Sequence, residues 1–292
     1  MDIVSILDHS SGLIEDEINR FFGSKKVSHQ LLIEAMKYSL LAGGKRIRSA
    51  LCMGFCKAAG GRAADAVQFA AALEMLHTYS LIHDDLPCMD NDDFRRNKPT
   101  NHIVYGEANA LIAGDALQAA AFEELLSAPL DAEKRANAGL ILAASAGRNG
   151  MCGGQLLDMD TPNRKLSLED LKDIHDKKTA ALLEAACMMG VVAAGGSEGQ
   201  LEAAKAYAAS IGLAFQIRDD MLDVIANEEK LGKPVGSDAK NSKTTFVTEL
   251  GLEKCQEIVN KETASAKKQL ETVFEDTAFL SEFADWLAQR DH

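Results

Sequence analysis

Aromatic residues are scarce in this 292-residue chain, at 5% with a single tryptophan, and there are only five prolines. Strands draw on aromatic and β-branched residues, so the first shortage argues against a sheet-based core. Proline is poorly tolerated inside helices, and Pro87, Pro99, Pro129, Pro162 and Pro234 leave long intervals open to them. Sustained period-two alternation is missing as well. The six cysteines form no Cys-x-x-Cys pair: Cys52 and Cys56 are one helical turn apart, and Cys88, Cys152, Cys187 and Cys255 are scattered. A zinc site therefore has little support, and reduced thiols in the cytoplasm are expected. Excess positive charge is also absent. The formal net charge is −13, with no basic stripe to neutralise phosphates, so nucleic acid is not an expected partner. Met1 to Phe22 has neither a basic region followed by an apolar core nor an arginine-rich bias, so no export or transit signal is expected. The apolar run from Ala180 to Ala194 contains Glu184 and many small residues, which fits a buried helix better than a membrane span.

What the chain does have is alanine, and 47% hydrophobic residues overall. Both favour helix, and the length is enough to bury a large core. The spacing predicts helices at about residues 2–22, 28–42, 46–59, 63–83, 107–127, 131–149, 168–195, 199–223, 243–271 and 277–289. Glycine pairs at Gly43-Gly44, Gly60-Gly61, Gly153-Gly154 and Gly195-Gly196 punctuate this pattern. The segment from Asn227 to Ser242, rich in lysine, glycine and aspartate, reads as a mobile loop, either a lid or an ordinary exposed connection. No internal repeat or low-complexity linker divides the chain. The expectation is an all-α fold in a single domain, residues 1–292.

Two aspartate clusters stand out. The first is Asp84-Asp85-Leu86-Pro87-Cys88-Met89-Asp90, followed by Arg95 and Arg96, and the second is Asp219-Asp220-Met221-Leu222-Asp223, followed by Lys233 and Lys243. One aspartate run alone reads equally well as a solvated loop. Here both follow stretches of apolar and small residues, and Asp219 and Asp223 share a helix face at i, i+4. Six carboxylates near apolar walls would be costly without cations. Mg2+ prefers hard oxygen ligands, one or two carboxylates with room left for substrate phosphates. Facing clusters with arginine and lysine beside each would cage a diphosphate and its magnesium ions. Asp115, inside an apolar stretch, fits a hydrogen-bonding or capping role, and Cys88 a spacer.

The chain resembles the trans short-chain prenyl diphosphate synthases, in particular the bacterial farnesyl type and the bacterial or plant geranylgeranyl types. The resemblance rests on Gly43-Gly44-Lys45-Arg46-Ile47-Arg48, Leu73-Glu74-Met75-Leu76-His77, His83 through Pro87 to Arg95-Arg96, Lys98-Pro99-Thr100, Gly114-Asp115-Ala116-Leu117, Gly153-Gly154-Gln155, Lys178-Thr179, Gln216 through Asp220, and Gly232-Lys233-Pro234. Each string is weak by itself; their order and spacing are specific. The resemblance implies a bundle of about ten or more helices around a central cavity, and a homodimer. It implies head-to-tail condensation of dimethylallyl or geranyl diphosphate with isopentenyl diphosphate. Asp84, Asp85, Asp90, Asp219, Asp220 and Asp223 would hold Mg2+, with Asp223 acting through water. Arg95, Lys178, Lys233 and Lys243 would complete the allylic diphosphate site, and Thr179 and Gln216 would face the cation and the shared diphosphate. Lys45, Arg48, His77 and Arg96 match the isopentenyl diphosphate site, although His77 read alone is a hydrogen-bonded buried histidine. Two positions depart from the family pattern: Ser49 stands where proline is usual, and Asn97 where glycine is common.

Product length is expected to depend on the helix before the first cluster. At 1.5 Å per residue, the position five before Asp84 lies roughly 7 Å down that helix. That position is Tyr79, beside Ser80, and a large ring there would close the tunnel. In the bacterial farnesyl enzymes an aromatic stands at this place, so the expected product has fifteen carbons. A geranylgeranyl synthase with a deeper floor, with Tyr79 an ordinary core aromatic, stays open. So does a non-catalytic partner of a related synthase, although every motif is intact. A terpene cyclase would share the aspartates but should lack Lys45, Arg48 and His77.

Overall fold

A computed structural model describes residues 2–23, 26–160, 166–231 and 244–290. The architecture is all-α, as expected. It runs through α1 (Ile3–Phe22), α2 (Gln30–Leu40), α3 (Ile47–Ala58), a 3-10 turn (Ala63–Ala66) and α4 (Val67–Asp84). A minimal hairpin, β1 (Phe94–Arg95) and β2 (Lys98–Pro99), leads to α5 (Asn101–Tyr105), α6 (Glu107–Leu126), α7 (Ala132–Ala146) and α8 (Met151–Met159). There follow α9 (Leu168–His175), α10 (Ala181–Ala194), α11 (Glu198–Leu231), α12 (Phe246–Leu250), α13 (Leu252–Leu270) and α14 (Ala278–Gln289).

The centre is α4. It is buried on every face, from Phe69 through Leu76 and again at Tyr79 and Ile82, which is why its sequence is apolar all round rather than striped. It packs along α6 and α3, while α10 packs along α3 and α7, and α11 along α13. Small residues set these separations. A side chain at Gly190 of α10 would bring its Cβ within 2.2 Å of the Cys52 carbonyl oxygen on α3. A second apolar cluster, with Ile174, Ile217, Met221, Phe246 and Val259, gathers under the later part of α11.

Several predicted elements differ from what is found. The glycine pair Gly153-Gly154 lies inside α8 rather than breaking the chain, because a Cβ at Gly154 would stand 2.3 Å from the Lys178 backbone nitrogen. Glycine there serves close approach between segments. The predicted helix 168–195 is interrupted by a π-helical turn at Asp176–Ala180. The predicted helix 243–271 is broken at Gly251, whose φ of 80° sits between α12 and α13. Helix α11 runs on to Leu231, so the start of the expected loop at Asn227 is helical; its remainder lies outside the described residues, as do Lys233 and Lys243.

The short hairpin escaped the periodicity, being two residues per strand. It explains one departure from the family pattern. Arg96 and Asn97 both have positive φ, 52° and 59°, the geometry of a two-residue primed turn. Asparagine is the non-glycine residue that best tolerates it.

Candidate active site

Between α3, α4, α8 and the π-helical turn lies a cavity of about 370 Å³, and it gathers residues that the sequence places far apart. Arg48, His77, Tyr79, Ser80, Asp84, Lys178 and Thr179 all line it, beside an apolar wall of Met89, Met151, Leu156, Met159 and Leu182. On α4, His77, Ser80 and Asp84 recur at i, i+3 and i+7, so one stripe carries them. Ser80 ties its hydroxyl to the His77 carbonyl at 2.8 Å, and the Tyr79 ring meets the His83 ring edge-on at 5.5 Å.

The basic end is built on a buried ion pair. Arg46, left-handed at φ 48°, caps α3 and turns inward, its Nη1 3.0 Å from Glu74 Oε2. It also donates to the Leu40 carbonyl. Ser49, where the family usually has proline, donates its hydroxyl to Glu74 Oε1 at 2.6 Å. Sequence reasoning missed this scaffold, since nothing in Lys45-Arg46-Ile47-Arg48 tells which cation faces in. Arg48 lines the cavity, and its Nε has no hydrogen-bond partner among the described residues. The amide nitrogen of Gln155, on the same cavity, is likewise unpartnered. Burial, then Arg48, Arg96, Arg46 and Arg95, hold the His77 pKa well below the ordinary histidine range, so the ring is neutral. Arg96 donates to the Gly43 carbonyl, and Gly44 leaves room for it: a Cβ there would lie 2.8 Å from the Arg96 guanidinium carbon. Lys45 is exposed at the head of α3, its Nζ 5.6 Å from the Trp286 ring centre.

The first aspartate cluster divides. Asp84 faces the cavity, and burial raises its carboxyl to about 6, with Lys178 opposing and Asp90 and Asp85 adding to the rise. Asp85 turns the other way and accepts from Arg95 Nε at 2.7 Å, so Arg95 is committed here to a carboxylate. Asp90 is exposed, and its backbone N–H closes the turn on the Asp84 carbonyl at 2.8 Å. Lys178 and Thr179 come from the π-helical turn, a widened geometry that recurs at functional sites. Lys178 Nζ pairs with Asp158 of α8 at 2.6 Å.

The second cluster is engaged differently. Asp219 accepts from Arg290, whose guanidinium also lies 4.0 Å over the Phe215 ring. Burial raises the Asp219 pKa, and Arg290 opposes it. Asp220 accepts from Gln216 at 3.1 Å and from the Phe246 backbone at 2.9 Å, fixing the start of α12. Asp223 is exposed. Gln216 and the second cluster do not line the cavity that holds Asp84. Asp115 is exposed, 3.8 Å from His83 Nε2.

Among the described residues, no three His, Cys, Asp or Glu side chains form a ready-made metal site. The donors present do fit Mg2+: hard carboxylates, with the half-buried Asp84 facing the cavity and leaving most of the coordination shell to phosphate and water. No helix among the described residues is long and apolar enough to cross a membrane.

A profile of the polyprenyl synthetase family matches residues 29–278. The chain is 41% identical over 293 residues to the farnesyl diphosphate synthase of Bacillus subtilis (strain 168), covering 99% of both chains. It is 47% identical over 263 residues to a chloroplastic geranylgeranyl pyrophosphate synthase of Capsicum annuum, covering 89% of this chain and 71% of that one. The crystal structure of an FPP/GFPP synthase from Zymomonas mobilis superposes with a TM-score of 0.86 at 33% identity, covering 98% of this chain and 99% of that one. The chain therefore belongs to the polyprenyl synthetase family, as a short-chain trans-prenyltransferase.

Proposed function

We propose that this enzyme makes farnesyl diphosphate, adding isopentenyl diphosphate first to dimethylallyl and then to geranyl diphosphate. The observation that carries the reading is Tyr79, which lines the cavity below Asp84 with its ring backed by His83. A tail growing from a diphosphate at Asp84 meets that ring.

Arg48, His77, Arg96 and Lys45 hold the isopentenyl diphosphate. The spare Arg48 Nε suits a phosphate oxygen, and neutral His77 donates without adding a further cation to four neighbouring arginines. Lys178 and Arg95 bind the allylic diphosphate, joined by Lys233 and Lys243, which lie outside the described residues. When that diphosphate leaves, the carbon–oxygen bond breaks, and the isopentenyl double bond attacks the allylic cation. A proton then passes to the departed diphosphate. Thr179, and Gln216 beside the second cluster, orient the reacting ends, while Met151, Leu156, Met159 and Leu182 keep water from the cation. Asp84, Asp85, Asp90, Asp219, Asp220 and Asp223 would hold Mg2+, which would supply Lewis-acid stabilisation of the leaving diphosphate.

A homodimer is part of this reading, supported by Ile103 and Val104 of α5 and Leu111 and Ile112 of α6, all exposed. So is a reducing, cytoplasmic setting, which suits six free thiols. The test is product analysis with the two five-carbon substrates. A fifteen-carbon end product supports it, and a twenty-carbon one overturns it in favour of geranylgeranyl synthesis.

A further inference from the structure

Tyr79 carries more than a ring. Its hydroxyl lies 3.4 Å from the Sγ of Cys152, the second residue of α8, and both side chains line the cavity. Burial raises the Tyr79 pKa, so the phenol stays protonated and can donate. The contact ties α4 to α8 at the phenol oxygen.

On its other side the ring has no freedom to retreat with its neighbour. His83, edge-on to it, donates from Nε2 to the Leu111 carbonyl at 3.1 Å. The histidine is seated against Gly114, where a Cβ would come within 2.2 Å of Nε2. His83 is therefore a fixed backstop. What remains adjustable is the swing of the phenol across the cavity, and the contact that limits it on the α8 side is Cys152.

We propose that Cys152 is a specificity-determining residue: its thiol latches the Tyr79 hydroxyl and holds the ring across the path of the growing tail. Cys152 acts through Tyr79, so it is a positioning residue, and the inference rests on the reading of Tyr79 as the floor. A hydrogen bond of this class biases the ring's position by about two- to tenfold. The same factor should appear in the ratio of twenty- to fifteen-carbon product.

The experiment measures that ratio at fixed substrate concentrations for the parent and for C152A, C152S, Y79F and Y79F/C152A. C152A and Y79F should each raise it about two- to tenfold. The double variant should do no more than either single one, because both remove the same contact. C152S, which keeps a hydrogen-bonding atom of similar size, should restore the parent ratio. Additive effects, or C152S behaving like C152A, would overturn the latch, since simple widening of the cavity predicts both. A parent that itself makes twenty carbons overturns the floor and the latch together. A fifteen-carbon parent unaffected by C152A sinks the latch and leaves the floor standing.

Discussion

Replacing Glu74 with alanine should be among the most damaging single changes to this chain, and the cost can be worked from its surroundings. The Arg46 side chain has no exposed surface and that of Glu74 only 3%, so neither charge can turn to water. Arg46 would keep the Leu40 carbonyl but lose its counter-charge at 3.0 Å, and the Ser49 hydroxyl would lose its acceptor at 2.6 Å. Glu74 also offsets the charges of Arg48 and Arg96, so repulsion at the basic end would rise. Breaking a buried pair by removing one partner costs about 3–5 kcal/mol. For a chain this long, that corresponds to a fall in Tm of roughly 10 °C. Calorimetry of the parent, E74A and the double variant R46M/E74L checks the reasoning. The double variant should recover most of the loss, because apolar residues of similar volume leave no orphaned charge. A loss below about 1 kcal/mol for E74A, the scale of an exposed pair, would refute the account.

Three other outcomes follow from the geometry. G154A should press a methyl against the Lys178 backbone, now 2.3 Å from the Cβ position, and displace the π-helical turn; we expect kcat to drop about 100-fold, and parent-like kcat would contradict this. N97V forces a β-branched residue to φ 59° and should cost about 1–2 kcal/mol and raise KM for isopentenyl diphosphate, whereas N97G should match the parent. His77, depressed in the fold, is neutral there while the unfolded chain takes up a proton below its ordinary value near 6.5. Unfolding thus binds the extra proton, and stability should fall by about 1.4 kcal/mol per pH unit below that point. H77Q, which cannot take up that proton, should show a shallower fall in denaturation curves between pH 6.5 and 5, and an unchanged slope would argue against a neutral His77.

Much of the fold was legible because local rules decided it. Scarce proline, abundant alanine and paired glycines marked most helices within a few residues, and α4 announced itself as an apolar run ending in aspartates. The misses have physical causes. Gly153-Gly154 looked like punctuation because a glycine that admits a neighbouring backbone has the same letter as one that ends a helix. The turn at Asp176–Ala180 has π geometry and packs against α11, where a Cβ at Gly212 would stand 2.7 Å from the Ala180 Cβ. Nothing in Asp-Lys-Lys-Thr-Ala distinguishes that turn from ordinary helix. Arg48, His77, Asp84, Lys178 and Thr179, grouped by the family resemblance, line one cavity. The resemblance did not reveal that Asp85 turns to Arg95, that Lys178 meets Asp158, or that Arg290 reaches Asp219 from 71 residues away. Those pairings are set by tertiary packing, and only the partners' coordinates disclose them.

The most direct test of the central claim is the end product itself. The enzyme is incubated with isopentenyl and dimethylallyl diphosphates, with Mg2+ and with chelator, and the longest chain is identified by chromatography for the parent and for Tyr79→Ala. The account predicts a magnesium-dependent fifteen-carbon product from the parent and longer chains once the ring is removed. Twenty carbons from the parent, or an unchanged product from Tyr79→Ala, would contradict it.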